Sequence, residues 1–405
     1  MTVEAEVSEL FRAERGRIVA TLIRLTGDWD LAEECVQDAF ARALECWPRE
    51  GVPQRPGAWL TTTARNRALD RLRRSSVEAA KLREVVATPD DSPGVEDDGI
   101  GDDLLRLVFT CCHPALTLEA RVALTLRTVA GLTTPEIARA FLVPEATMAK
   151  RLVRARQKIR NARIPYRVPP AHLLPERTGG VLGVLYLLFN EGYAAGGGAD
   201  LSRRDLCVEA IRLARTLVAS MPDEPEAVGL LALALLQDSR RDARFDHAGD
   251  LVPLDEQDRS RWDGAQVEEG VALLDSALRR GRPGPYQVQA AIAACHATAA
   301  RARDTDWPQI ALLYGELVKL VPSPVVRLNR AVAVAMADGP AAGLALVDDL
   351  ADEVTGHLLP ATRADFLRRL GRGAEALAAY ERARALAPTD AERRHLTRLI
   401  GALGG

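Results

Sequence analysis

The alternation of apolar and polar positions predicts an almost entirely helical chain. In residues 5–26, apolar side chains recur at every third or fourth position, which is the spacing of one helix face, and Gly27 ends the pattern. A second amphipathic helix follows in DWDLAEECVQDAFARALECW, with Asp28 or Asp30 placed to cap it. A break rich in Pro and Gly at residues 48–57 then precedes a third helix, AWLTTTARNRALDRLRRS, which becomes basic along its length.

The pattern in residues 132–163 predicts two helices joined by a tight turn. Thr133 or Thr134 can cap the first helix, and Pro144 fixes the opening backbone angle of the second. The expected contact between them joins Met148, Leu152, Val153 and Ile159 to Ile137, Ala138 and Phe141. Two helices in this arrangement form a helix-turn-helix, which is a common DNA-binding motif.

The second helix of this pair carries almost only positive charge. Its basic residues are Lys150, Arg151, Arg154, Arg156, Lys158, Arg160 and Arg163, and no acid follows Glu145. A run of arginines alone is more typical of a solvated face. Within a helix-turn-helix the run favours a groove lined with phosphates, so the sequence predicts DNA binding here.

Beyond residue 163 the pattern predicts helix hairpins that end in proline. The separations of Pro222, Pro322 and Pro388 are close to multiples of a unit of about 33–34 residues. The segment LGRGAEALAAYERARALAP places Gly371 and Tyr380 in tetratricopeptide positions. We therefore predict a degenerate tetratricopeptide-like array, with a generic helical domain as the alternative. The predicted fold class is all-α throughout.

Composition and charge change this picture only locally. Hydrophobic residues make up 47% of the 405 residues and aromatic residues only 4%, which favours cores rich in Leu, Ala and Val between packed helices. The net charge is −3, yet residues 85–105 hold seven acids and no base. The almost purely basic helix lies in the same part of the chain as this acidic stretch, so the nucleic-acid signal is local rather than global.

The sequence lacks the motifs that are typical of other classes of function. The sequence has no GxSxG, HExxH or P-loop pattern, so we expect no enzyme. Cys111, Cys112 and His113 are residue types that bind metals. No second ligand pair has zinc spacing, however, so we expect neither metal nor cofactor. The absence of CxxC pairs is typical of a reduced cytoplasmic protein. No apolar run reaches the ~20 residues of a membrane span, and the N-terminus lacks a signal-peptide pattern.

Two segments resemble a known family. The acidic second helix, the loop and the WLxxxARNxxxDxLRR pattern resemble region 2 of an extracytoplasmic-function RNA polymerase sigma factor of the sigma-70 type, and residues 104–163 resemble its region 4. The whole length is similar to the subgroup with a tetratricopeptide-like C-terminal extension. The resemblance implies region 2 at residues 1–75, an acidic flexible linker at 76–103, region 4 at 104–165 and a helical repeat domain at 166–405.

The resemblance also implies three binding surfaces. The residues facing the clamp of core RNA polymerase would be Asp30, Glu33, Glu34, Gln37 and Asp38. The loop at residues 47–57 would hold a flipped base of the minus-ten element, beside Arg65, Asn66, Arg67, Asp70, Arg71 and Arg74. The minus-thirty-five element would meet Thr147, Lys150, Arg151, Arg154, Arg156 and Lys158, with region 4 on the polymerase flap.

The implied function is promoter-specific initiation of transcription. The C-terminal helical domain, called the tail below, would regulate the factor by intramolecular contact. The alternative is a helix-turn-helix regulator with a tetratricopeptide sensor that does not bind core polymerase as a sigma factor. That alternative leaves the first 75 residues without a role. For each charged helix, the alternative is an ordinary solvated face.

Overall fold

The structure, a computed structural model, describes the chain in seven ranges: residues 3–74, 98–141, 143–194, 201–247, 252–350, 356–387 and 390–403. Within these ranges the chain is helical and contains no β-strand, so the predicted all-α class is confirmed. The chain divides into two compact units, Met1–Leu188 and Phe189–Gly405. No helix in the described ranges is long and apolar enough to cross a membrane.

The first unit is built from seven helices and the start of an eighth within the described ranges. They are α1 (Val3–Thr26), α2 (Trp29–Glu50), α3 (Pro56–Arg74), α4 (Asp98–Cys111), α5 (Leu118–Thr125), α6 (Thr134–Ala140), α7 (Glu145–Asn161) and α8 (Leu174–Ala194). A π-helical turn, Leu126–Ala130, continues α5. Helices α1, α2 and α3 pack on one another, and α1 also packs on α4 and the π-helical turn.

The predicted helix ends agree with the structure at three places. Gly27 has a φ of 68° and ends α1, as only glycine adopts this backbone readily. Asp28 caps α2 by accepting hydrogen bonds from the backbone N–H of Asp30 at 2.9 Å and of Leu31 at 3.1 Å. Thr133 and Glu136 form a reciprocal capping box at the start of α6.

The loop predicted at residues 47–57 is shorter than expected. Helix α2 continues through Pro48 to Glu50, because a proline near the last turn forfeits only one helical hydrogen bond. Helix α3 begins at Pro56, since proline suits the first helical position. The connection therefore spans residues 51–55 alone, and Trp47 belongs to α2.

The predicted linker also ends earlier than residue 103. Helix α4 begins at Asp98, so residues 98–103 are helical. Acidic residues are favourable at a helix N-terminus because they face its positive end, which explains why this acidic stretch can open a helix. Residues 75–97, which hold the rest of the predicted linker, lie outside the described residues.

The second unit holds the remaining described helices, most of which pack on their neighbours in the chain, while α10 also packs on α12. They are α9 (Leu201–Ser220), α10 (Pro225–Asp238), α11 (Gly264–Leu278), α12 (Pro285–Ala297), α13 (Trp307–Leu320), α14 (Pro324–Asp338), α15 (Pro340–Asp348), α16 (Leu358–Arg369), α17 (Gly373–Leu386) and α18 (Asp390–Leu403). The polar stretch around residues 240–261 contains two short 3-10 turns, Arg241–Ala243 and Arg259–Arg261.

The last predicted repeat forms a helix hairpin. Helices α16 and α17 pack together around Gly371, whose φ of 76° allows the tight turn between them. Ala376, Tyr380 and Ala383 are at most 1% exposed. Tyr380 and Ala383 pack in a core shared with α16 and α18, whereas Ala376 packs in a core shared with α14, α15 and α16. Pro388 lies outside the described residues. A tetratricopeptide identity of the array stays a prediction.

Candidate polymerase and nucleic-acid interfaces

Helices α6 and α7 form the predicted helix-turn-helix. Met148, Leu152 and Ile159 of α7 are buried, as are Ile137 and Ala138 of α6. The fourth buried position of α7 is Ala155 rather than the predicted Val153, which is 62% exposed. The reason is helix geometry: positions 148, 152, 155 and 159 share one face, whereas position 153 is turned by about 100° from Leu152.

Five of the six residues predicted to read the minus-thirty-five element lie on one side of α7. They are Thr147, Lys150, Arg151, Arg154 and Lys158, and their spacing of three, four or seven places them over one another. All are exposed except the partly buried Arg151. Within the described part of the chain, no carboxylate lies within ion-pair distance of any of these four cations. This side of α7 is therefore a continuous positive surface open to solvent, suited to phosphates and base edges.

Arg156, the sixth predicted residue, lies on a different side of α7. Its guanidinium donates hydrogen bonds to Asp30 and, at 2.6 Å, to Glu33, both on α2. Its side chain is only 16% exposed. The structure therefore separates Arg156 from the other five, and in this arrangement it contacts the predicted polymerase-binding helix and not open solvent.

The acidic residues of α2 divide into two groups. Glu34 and Gln37 are exposed, and the side chains of Asp30 and Asp38 are 72% and 38% exposed. Glu33 is different, because its side chain is only 7% exposed. The prediction placed all five on one polymerase-binding surface, but in this arrangement Glu33 points away from that surface and into an ion-pair cluster.

Glu33 is surrounded by three arginines. Its carboxylate accepts from Arg127 at 3.1 Å and from Arg156 at 2.6 Å, and Arg15 lies 3.9 Å away. Arg15 is 2% exposed, and burial lowers its pKa to about 10, against the opposing effect of Glu33. Sequence reasoning missed Arg15 and Arg127. The available signal was the position of Arg15 on the apolar side of α1, four residues after Phe11 and three before Ile18.

The basic helix α3 presents most of its predicted minus-ten residues to solvent. Arg65, Asn66 and Arg67 are exposed. Asp70 is also exposed and lies 3.9 Å from Arg73 of the same helix. Arg71 instead bridges to α2, as it donates to Glu34 and, at 3.0 Å, to Asp38. The side chain of Arg74 lies outside the described residues.

Two tryptophans flank the loop at residues 51–55. Trp47 at the end of α2 and Trp59 in the first turns of α3 meet edge to face, with ring centroids 5.4 Å apart. Trp47 is 2% exposed, so its ring supports the base of the loop and is not open to a nucleotide. Trp59 is only partly buried, which makes it the accessible aromatic side chain beside the loop.

The cysteine pair of the CCH triplet is part of the core. Cys111 and Cys112 are 0% and 2% exposed, and the Cys112 sulfur lies 3.6 Å from the Thr125 hydroxyl. Burial raises the pKa of both thiols. His113 accepts a hydrogen bond at Nδ1 from the backbone N–H of Ala115 at 3.1 Å. Both thiols are thus packed in the core, and His113 is engaged by the backbone of the turn that follows α4.

Family models match three parts of the chain. Sigma-70 region 2 matches residues 10–77, sigma-70 region 4 matches residues 106–159, and a family of unknown function, DUF6596, matches residues 177–278. The first covers most of α1 and all of α2 and α3, and the second covers α6 and most of α7. The third spans parts of both units, from α8 to α11.

Individual proteins are also similar to this chain. An uncharacterised protein of Rhizobium meliloti is 46% identical over 385 residues, which cover 93% of this chain and 91% of that protein. The ECF RNA polymerase sigma factor SigL of Mycobacterium tuberculosis is 34% identical over 134 residues, or 32% of this chain and 73% of SigL. The probable ECF RNA polymerase sigma factor SigI of the same species is 30% identical over 176 residues, or 42% of this chain and 60% of SigI. No solved structure matches.

Proposed function

The chain belongs to the ECF family of RNA polymerase sigma factors, and from this premise we propose that it directs core RNA polymerase to specific promoters and initiates transcription there. The observation that carries the proposal is the ordered pair of modules: an acidic and a basic helix in region 2, followed by a basic helix-turn-helix in region 4. A protein of this kind acts in the cytoplasm, where polymerase and chromosome meet.

Region 4 is proposed to read the minus-thirty-five element through α7. The supporting feature is the solvent-exposed side that carries Thr147, Lys150, Arg151, Arg154 and Lys158. A helix of this width fits the major groove of DNA, where arginine and lysine recognise guanine and neutralise phosphates. In an open arrangement of the two regions, Arg156 would add a further phosphate contact from the neighbouring side.

Region 2 is proposed to bind core polymerase and to hold the separated strand of the minus-ten element. Exposed acids and Gln37 on α2 supply a surface for the polymerase clamp, and region 4 would contact the flap. Arg65, Asn66 and Arg67 on α3 offer charge and hydrogen bonds to a single strand, with Trp59 beside the loop at residues 51–55. A positively charged groove with an aromatic platform is what single-strand binding requires.

The tail is proposed to regulate the factor by intramolecular contact. Residues 164–405 carry an excess of acids, whereas the exposed surfaces of α3 and α7 are basic. Because the tail is tethered, even a weak contact would be highly populated at a local concentration of about a millimolar. Helical repeat domains present extended surfaces that bind peptides or helices, and the helices of region 4 are partners of that kind.

Gel filtration of the purified full chain with core polymerase tests the function directly. A sigma factor forms a stable complex with the core enzyme and supports run-off transcription from a pool of genomic promoters. A regulator that only binds DNA through its helix-turn-helix would shift promoter DNA but would elute separately from the core enzyme, and this result would overturn the proposal.

A further inference from the structure

One buried carboxylate joins regions 2 and 4. Glu33 and Arg15 belong to region 2, whereas Arg127 and Arg156 belong to region 4. The side chains of the three arginines are 2%, 19% and 16% exposed, so the cluster lies mostly out of solvent. The carboxylate of Glu33 therefore lies beside three guanidinium groups that come from both regions. Asp30 adds a second carboxylate, which accepts a hydrogen bond from Arg156.

Backbone groups near the cluster also join region 2 to region 4. Arg15 donates to the carbonyl oxygens of Arg127 at 3.1 Å and Thr128 at 3.0 Å, at the π-helical turn of region 4. A side chain at Gly16 would place its Cβ 2.7 Å from the Val129 carbonyl oxygen, so glycine permits the close approach of α1 to this turn. The packing of region 4 on region 2 is therefore specific and depends on particular residues.

This closed arrangement cannot read both promoter elements at once. Elements centred near positions minus ten and minus thirty-five are about 25 base pairs apart, which is roughly 85 Å of duplex at about 3.4 Å per base pair. Helix α3, with 19 residues, is about 28 Å long, and α2, with 22 residues, is about 33 Å long. Since Arg156 of α7 touches α2 and α3 packs on α2, the two DNA-binding helices lie too close together to span that distance.

We propose that Glu33, with Asp30, Arg127 and Arg156, forms an ionic latch that holds region 4 against region 2 in the free protein and opens when core polymerase and promoter are bound. The inference rests on the proposed sigma function, because simultaneous recognition of two promoter elements is what requires the opening. The residues between Arg74 and Asp98 are numerous enough to reach roughly 80 Å when fully extended, so the chain length permits the separation.

The latch differs from a simple packing contact in its response to charge. Removing the charge of Glu33 leaves Arg15, Arg127 and Arg156 mostly out of solvent, with Asp30 as the remaining carboxylate beside Arg156. Movement of region 4 away from region 2 relieves the resulting repulsion. Removing Arg156 still leaves Arg127 and Arg15 beside Glu33, so the effect is smaller. Both variants increase the apparent affinity for any partner of the open form, because the population that can bind grows.

Pulsed electron spin resonance on the full chain measures the opening. Nitroxides are placed by Ala41→Cys on α2 and Ala149→Cys on α7, both at exposed positions. Cys295 is replaced by serine, because the other five native cysteines are buried. The free protein is expected to show one short distance, and saturating core polymerase with promoter DNA is expected to replace it by a distance longer by several tens of ångströms.

Charge variants then assign the effect to the latch. Glu33→Gln should raise the open fraction of the free protein at least tenfold, and Arg156→Ala should raise it by a smaller factor. Glu45→Gln on α2 and Arg160→Ala on α7 remove the same charges at exposed positions and should leave the distances unchanged. If Glu33→Gln unfolds the first unit, as judged by circular dichroism, Arg156→Ala and Asp30→Ala carry the test.

Two results would overturn the latch: latch variants that keep the wild-type distance, or a polymerase-bound protein that keeps the short one. Failure to bind polymerase at all would instead refute the sigma function. The comparison among free variants would still decide whether Glu33 holds the two regions together, so the two failures are distinguishable.

Discussion

Arg71 on α3 donates a hydrogen bond to Asp38 on α2, with 3.0 Å between Nη2 and Oδ2. The same guanidinium also bonds to Glu34, one turn earlier on α2. This bridge joins a residue predicted for DNA to two residues predicted for polymerase. A side chain at this position therefore couples the two proposed surfaces of region 2, and its removal would alter both of them.

Strand separation can be tested without disturbing that bridge. The double variant Asn66→Ala with Arg67→Ala should abolish permanganate reactivity of thymines near the start site, because it removes exposed groups of α3 that are proposed to hold the single strand. Binding to core polymerase should stay within about twofold of wild type. Arg42→Ala, an exposed cation on α2, is the control and should leave melting intact. Loss of polymerase binding in the double variant would show that α3 had been assigned the wrong role.

The sequence predicted the helices well because amphipathic spacing and caps are local. The α1 end at Gly27 and the capping box at Thr133 follow from one residue and its near neighbours. The buried ion pair between Glu33 and Arg156 could not be predicted in this way. Their pairing joins residues 123 positions apart, and the sequence pattern of each helix alone makes both residues look like exposed charges. Val153 was placed in the core for a related reason, since residue type suggested burial and only the packing on α6 shows which face is inside.

An Arg151→Ala variant tests whether α7 recognises bases of the minus-thirty-five element. Arg151→Ala should reduce discrimination between the preferred minus-thirty-five element and its single-base variants by about 1–3 kcal/mol at the position it reads, if it forms a bidentate pair with guanine. The measurement is holoenzyme binding to a panel of labelled promoters at one salt concentration. A uniform loss on every sequence would assign Arg151 to phosphate. Arg160→Ala, exposed beyond the reading residues, is the matched control. Unchanged binding and specificity in Arg151→Ala would show that this side of α7 does not read DNA.

Acid sensitivity of the second unit should depend on His296. Burial lowers the pKa of His296 to about 4, with further lowering by Arg240 and Arg259, whereas an unfolded histidine titrates near about 6.5. The unfolded chain thus binds the proton more readily. The contribution to stability is complete above pH ~6.5 and is lost as the pH falls towards ~4, by at most about 3 kcal/mol.

Urea unfolding of the full chain between pH 7 and pH 4 measures this loss for the second unit. His296→Gln should flatten the fall in the free energy of unfolding over that range, because no proton is then taken up at position 296. His247→Gln changes an exposed histidine of the same unit and should keep the wild-type slope. Equal slopes in all three proteins would mean that other groups cause the acid sensitivity.

The regulatory role of the tail can be separated from its folding contribution by cutting the chain. Removal of everything after Arg163 is too severe, because Tyr166 bonds to the carbonyl oxygens of Ala20 at 2.8 Å and Asp103 at 3.3 Å, and Arg177 bonds to that of Phe109 at 2.7 Å, all inside the first unit. A protease site inserted in the glycine-rich sequence at residues 195–198 leaves these contacts and the whole of α8 in place.

Transcription with purified core enzyme is then compared for the uncut protein, the cut mixture and the isolated N-terminal piece. Tyr193, at the end of α8, bonds to Gln237 and Arg244 beyond the cut, so the cut pieces can stay associated. The isolated N-terminal piece is therefore the sample from which the tail and its high local concentration are removed. Increased activity on cutting means that the tail masks the factor, and lost activity with unchanged helical content means that it supports the factor. The uncut protein carrying the inserted site, treated with inactive protease, is the control. If cutting changes nothing and the separated tail binds neither the N-terminal piece nor polymerase, the tail does not regulate this sigma factor.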